Sequence, residues 1–221
     1  MIKLGTLINP VQVHKEEDIH IGFLISDLDE YYSLESCLNA FTNEIKAAHT
    51  VCISGIGITC ALLASIDLYR QGITNIINIG SAGSRVYARG MVMQPKYYLQ
   101  ADAIIAGVHN VDPCRLYAGH VDFRSLQPTD ICYSSNSFIT SVEQVKGLPV
   151  QGTHDMEAYG IALASMHIGR QFYSIKIVTD NLDFEAHHTS YTDQLMNAHD
   201  AVAVELDKIY KDIKTYYKLE D

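Results

Sequence analysis

Apolar residues fall along this chain in two alternating rhythms. Short runs at Ile2 to Ile8, Ile19 to Ile25, Thr50 to Ser54, Asn75 to Ile79, Ile131 to Tyr133 and Phe172 to Val178 have the length and content of buried strands. Between them the spacing turns helical. Leu34, Leu38, Phe41 and Ile45 predict an amphipathic helix over residues 28–47. Cys60, Leu63, Ile66 and Leu68 predict another from Thr59 to Arg70, with Gly72 suited to its C′ position. A third helical pattern opens at Asp155 and stops at Gly169. A terminal one starts near Ser190 and carries the stripe Leu195, Val202, Leu206, Ile209 and Ile213. Val92 to Pro128 is the least legible stretch. Strands alternating with helices, with no internal repeat and no linker, predict one three-layer α/β domain over residues 1–221.

Several predicted strands stop at residues able to do chemistry. The strand from Asn75 stops at Gly80-Ser81-Ala82-Gly83, and that from Phe172 stops at Thr179-Asp180-Asn181. Asp155-Met156-Glu157-Ala158 places a further carboxylate at a helix start. Open α/β sheets bind ligands outside the carboxyl ends of their strands. Two carboxylates there can divide the work, one holding substrate hydroxyls and one handling a proton. The expectation is an enzyme acting on a small polar molecule.

Other motifs narrow the chemistry. Gly55-Ile56-Gly57 is either a tight turn or a place where backbone N–H groups approach a ligand. It is no dinucleotide fingerprint, because Cys60 stands where the third glycine belongs. No phosphate-binding Gly-Lys-Ser/Thr loop and no G-x-S-x-G elbow occurs. Ten histidines, among them His109, His120, His154, His187, His188 and His199, show no ligand spacing, so no metal is expected. Phe138, after a serine-rich segment, reads either as core or as a flat face for a base.

Composition adds exclusions. The formal charge is −10 and the sixteen Lys and Arg form no cluster, which argues against a nucleic-acid surface. Five cysteines without a C-x-x-C pair argue against a disulfide scaffold, and Cys52 and Cys60 sit in apolar runs that predict burial. No signal-peptide pattern or membrane-length apolar run is visible, so a cytoplasmic protein without membrane partners is expected.

Taken in order, G-I-G, I-N-I-G-S-A-G, S-F-I, D-M-E-A and T-D-N resemble the purine nucleoside phosphorylase/nucleosidase superfamily. The methylthioadenosine/S-adenosylhomocysteine nucleosidases are the nearest branch, and the resemblance runs from about Ile19 to the terminal helix. It implies a central mixed, twisted sheet, a homodimer, a nucleoside substrate and no cofactor. It further implies that Asp180 is the general acid at N7 of the leaving purine and that Glu157 binds the ribose hydroxyls with Met156 packed on the sugar. By the same resemblance Phe138 stacks on the purine, the Ile139 backbone reads the base edge, and Ser81, Ala82 and Gly83 line the pocket.

The resemblance also bears on the nucleophile. The phosphorylases carry an arginine two residues before the glycine of their G-S-x-G loop, and a G-D-P word near the N-terminus. Here Asn78 replaces the arginine and the word is missing, which favours water over phosphate. The water-activating glutamate is Glu30 if Ile19 to Ile25 is the first strand, the preferred alignment, and Glu16 or Glu17 if Ile2 to Ile8 is. With Glu30, residues 1–18 become an atypical added segment. Lys176 stands where the nucleosidases have an arginine near the catalytic water, and is expected on the substrate side. The implied activity is hydrolysis of an adenine nucleoside. Its alternatives are a phosphate-dependent phosphorylase of the same fold and a nucleoside-binding protein with weakened catalysis.

Overall fold

The computed structural model describes residues 12–102, 131–141, 143–144, 150–182 and 191–219. The predicted strand Ile2 to Ile8, Cys114, His109, His120, His187 and His188 lie outside them. The elements run β1 (His20–Ile25), α1 (Leu28–Glu44), β2 (Ala48–Ile53), α2 (Ile58–Arg70), β3 (Asn75–Gly83), β4 (Val92–Met93), β5 (Tyr97–Gln100) and β6 (Ile131–Ser134). They continue with β7 (Thr153–Asp155), α3 (Ala158–Ile168), β8 (Gln171–Asp180), α4 (Tyr191–Asn197) and α5 (His199–Tyr216).

Among the described residues, eight strands join one mixed sheet, in the order β2-β1-β3-β7-β6-β5, with β8 paired to β3 and β4. β1, β2, β3 and β8 are mutually parallel where they pair, and β4 and β7 run antiparallel to β8 and β3. Alternation along the central strands feeds two cores. Ile77, Ile79, Ile175 and Ile177 face Leu34, Leu38 and Phe41 of α1 and Val202, Leu206, Ile209 and Ile213 of α5. Ile76 and Phe172 point the other way, toward Leu68 of α2 and Ile161 and Ile168 of α3. The result is the expected three layers, helices covering both faces of a strand pair with near-continuous apolar content.

Four sequence expectations change. Gly80 to Gly83 is strand rather than loop, because β8 pairs with β3 through Gly83. The residues Asp155 to Glu157 precede the helix, Asp155 ending β7 and Glu157 serving as N-cap of α3. The terminal helix is broken at Ala198 into α4 and α5. Cys60 is exposed, on the outward side of the first turn of α2, and Cys52 is half-buried on β2.

α2 and α3 touch at one point that admits no side chain. A Cβ on Gly160 would overlap the backbone carbonyl of Ile58. Gly160→Ala adds about 1 kcal/mol of helix propensity, but overpacking against rigid backbone costs about 1–3 kcal/mol. The variant is expected to lower the urea midpoint at unchanged m-value.

Candidate functional site

A cavity of about 600 Å³ opens at the carboxyl ends of β1, β3, β6, β7 and β8. Its described lining includes Asp27, Glu30, Asp155, Glu157 and Asp180, together with Arg89 and His154.

Glu30 enters from the start of α1. Asp27 is the N-cap and accepts the Glu30 N–H at 2.8 Å. Asp at the N-cap with Glu three residues on is the capping-box pattern, in which the glutamate reaches back to the N-cap N–H. Glu30 is instead turned into the fold and is 3 % exposed. One carboxylate oxygen accepts the Ser81 N–H at 2.7 Å and the Ser81 hydroxyl at 2.6 Å, and the other accepts the Ser26 hydroxyl at 2.7 Å. Gly80 makes room: a Cβ there would lie 2.8 Å from Glu30 Oε2.

Glu157 enters from the opposite side. It makes no side-chain cap for α3; its Oε1 accepts the Gly57 N–H at 3.0 Å. Gly57 has φ +107° and is the N-cap of α2, so the turn delivers a backbone donor and a positive helix end to this carboxylate. Gly55-Ile56-Gly57 thus serves a buried side chain. Burial pushes the Glu157 carboxyl up to about 7; Asp155 and Glu30 add to the rise, while Lys176 and the Gly57 N–H oppose it.

Asp155 takes over the capping of α3, accepting the Ala158 N–H at 2.9 Å on Oδ2, while the Ser134 hydroxyl donates to Oδ1. Lys176 Nζ stands 2.7 Å from Asp155 Oδ2, with both side chains buried. Burial alone would raise the Asp155 carboxyl, but the Lys176 ammonium holds it below its ordinary value. Burial alone would lower the Lys176 ammonium, and Asp155 holds it above its ordinary value.

Asp180 closes the third side. Between Ala82 and Gly83 the β3–β8 register slips, leaving Thr179 as an extra residue and bringing Asp180 opposite Gly83. Such a bulge re-aims the following side chain. Asp180 Oδ1 accepts the Leu182 N–H at 2.6 Å, and the Asn181 carboxamide donates to the Tyr87 carbonyl at 2.7 Å, fixing the exit from the strand.

The remaining expected residues separate into two groups. Ser81, Ala82, Gly83, Met156, Phe138 and Ile139 line the cavity, Phe138 being 66 % exposed at its mouth. Lys176 is absent from the described lining and 1 % exposed, which corrects its expected place on the substrate side: Asp155 captures it inside the wall. Glu16 accepts the Tyr210 hydroxyl at 2.6 Å and Glu17 pairs with Lys15, both away from the cavity. Ser26, Asp27, Arg89, His154, Leu182 and Tyr191 line it without having been singled out for it by sequence. Asp27 had a local signal, the N-cap pattern before Glu30; for Arg89 there was none.

No protein-family model matches the chain, and no curated protein matches it in sequence. Solved structures do match. Futalosine hydrolase of Helicobacter pylori superposes with TM-score 0.66 at 17% identity, covering 88% of this chain and 97% of that one. The 5′-methylthioadenosine/S-adenosylhomocysteine nucleosidase of Neisseria meningitidis gives TM-score 0.63 at 19% identity, covering 89% of this chain and 99% of that one. Its counterpart from Streptococcus pneumoniae gives 0.62 at 17%, with 85% and 97% covered. This chain has the nucleosidase fold. At these identities the likeness is one of fold, and within the nucleosidase fold the site rests on the side chains described above.

Glu157 gives this nucleosidase-fold protein a pH signature. Its carboxyl titrates at about 7 when folded, against 4.5 for the ordinary group. A raised acid binds its proton more tightly in the folded state, so its contribution is full below pH 4.5 and is lost as pH rises to about 7. The scale is on the order of 3 kcal/mol. Glu157→Gln removes this dependence. Its stability relative to the parent is expected to increase from pH 4.5 to 7 and then level off, as read from urea midpoints across that range.

Proposed function

We propose that this protein is a purine nucleosidase that hydrolyses the N-glycosidic bond of an adenine nucleoside of the methylthioadenosine/S-adenosylhomocysteine type. The observation that carries the reading is the convergence of Glu30, Glu157 and Asp180 on one cavity from three distant segments. Glycosidic cleavage develops positive charge on the ribose and negative charge on the departing purine. Asp180 delivers a proton to the purine nitrogen as the bond breaks. Glu157 accepts hydrogen bonds from the sugar hydroxyls and places negative charge near the cationic centre. Glu30 takes a proton from water as the oxygen bonds to the anomeric carbon, and the two serine hydroxyls orient its carboxylate. Free base and free sugar leave. Phe138, exposed at the mouth, offers the ring face for the purine.

Water rather than phosphate is the nucleophile because the cavity is acidic. A phosphate dianion beside Glu30 would face a buried carboxylate, and like charges in a desolvated site repel strongly. Asn78, where a phosphorylase has arginine, is buried and donates to the Leu24 carbonyl at 2.9 Å. One feature favours the phosphorylase alternative: Arg89 is a cation in the cavity lining. Cleavage of a nucleoside panel with and without phosphate separates the two. Hydrolysis predicts the free sugar, ribose or its 5-substituted form, at a rate independent of phosphate, and the corresponding sugar 1-phosphate would overturn it. Binding without cleavage would point instead to a nucleoside-binding protein.

Asp180→Asn and Glu30→Gln are each expected to lower kcat by about 10²–10⁴-fold while leaving the thermal transition in place. Undiminished turnover in either removes that residue from its role. A homodimer belongs to the same reading: exposed Ile56 and Phe138 leave the mouth apolar, and a second copy would cover it. Light scattering is expected to return twice the chain mass.

A further inference from the structure

Glu157, Asp155 and Lys176 present a problem of allocation. One buried ammonium stands within electrostatic reach of two buried carboxylates, and it pairs with Asp155 at 2.7 Å. Lysine is a compact point charge, without the planar fork that lets arginine serve two partners in fixed geometry. Asp155 is also the better anchored competitor. It is held by the Ser134 hydroxyl and the Ala158 N–H, and Ser134 is fixed in turn by the Tyr159 N–H at 2.9 Å. Glu157 is left with two neutral backbone donors, the Gly57 N–H at 3.0 Å and the Met156 N–H at 3.3 Å, and its carboxylate stays at the cavity wall.

We propose that Asp155 is a positioning residue: by capturing Lys176 it keeps the ammonium from closing on Glu157, so that the Glu157 carboxylate remains available to sugar hydroxyls. A carboxylate locked in a salt bridge would have its lone pairs occupied and its charge cancelled before substrate arrived. The capture also ties the site to the fold, because the Asp155 oxygen that holds Lys176 also caps α3, the helix whose N-cap is Glu157. The groups facing Glu157 are Asp155 from β7, Lys176 from β8, Glu30 from α1 and the Gly57 N–H at the start of α2. This inference rests on the sugar-binding role proposed for Glu157.

The test is the titration of the Glu157 carboxyl by carbon NMR on protein labelled at glutamate Cδ, with Glu157→Gln to assign the signal. Asp155→Asn keeps a cap acceptor for α3 and releases Lys176. The midpoint of Glu157 is then expected to fall by at least one pH unit, because the Asp155 charge that raises it is gone and the ammonium is left to Glu157. Asp155→Asn combined with Lys176→Met removes both charges, and its midpoint is expected to stay within one unit of the parent. A midpoint in Asp155→Asn equal to the parent's overturns the proposal, since the ammonium would then be out of reach. If Asp155→Asn does not fold, the double variant decides, and a displacement beyond one unit in either direction overturns it. The titration needs no turnover. A parent protein without nucleosidase activity would remove the functional reading and leave the titration result standing.

Discussion

The parallel ladder between β3 and β8 is the constraint on which the rest depends. It runs from Asn75 opposite Gln171 to Gly83 opposite Asp180. Its alternating side chains divide the protein into two cores, and its far end supplies much of the cavity floor. A ladder of this length buries main chain that would otherwise leave donors and acceptors unpaired. Three features of the cavity are set at that end. Gly80 leaves space for Glu30, Ser81 donates to it twice, and the slip at Thr179 turns Asp180 toward Gly83. A register shift of one residue would move all of these to the opposite face.

Concentrating carboxylates at one sheet edge sets a second constraint, because each buried charge must be offset. The offsets are unequal. Glu30 has two serine hydroxyls and a backbone N–H, Asp155 has an ammonium, a hydroxyl and a helix N–H, and Glu157 has backbone donors alone. The least compensated carboxylate is the one whose pKa is driven up to about 7. The inequality is useful for the proposed chemistry, since hydroxyls of a bound sugar would supply the hydrogen bonds that the protein withholds.

Elements with a strong period were legible. The core strands β1, β3 and β8 and the helices α1, α2 and α5 follow directly from apolar spacing, and the strand-end carboxylates followed from reading what comes next. The misplacements have physical causes. Gly80 to Gly83 has low strand propensity and reads as a turn, yet β8 supplies its hydrogen bonds and tertiary pairing overrides the local preference. β4 and β7 are two and three residues long, too short to show any period. Lys176 is the more instructive case. A lysine in an apolar run announces a buried charge but not its partner, and Asp155 lies twenty-one positions earlier on another strand. Sequence could mark both residues; only the fold pairs them.

Two helix starts show how function is inscribed against local rules. At α1 the capping-box glutamate abandons the N-cap N–H and turns to Ser26 and Ser81. At α3 the N-cap glutamate caps nothing, and Asp155, two residues earlier, holds the Ala158 N–H in its place. Asp27 and Asp155 keep both helices capped, so the cost of this arrangement lies in burying the two glutamate carboxylates. A sequence selected for stability alone would let both glutamates cap their helices in solvent. That both instead point into one cavity, from opposite sides, is a local inconsistency of the kind that marks a working site rather than a structural one. The same logic distinguishes Glu30 from Glu16 and Glu17. Glu16 is held by the Tyr210 hydroxyl and Glu17 by Lys15, each satisfied where it stands, whereas Glu30 forgoes a cap to face the cavity.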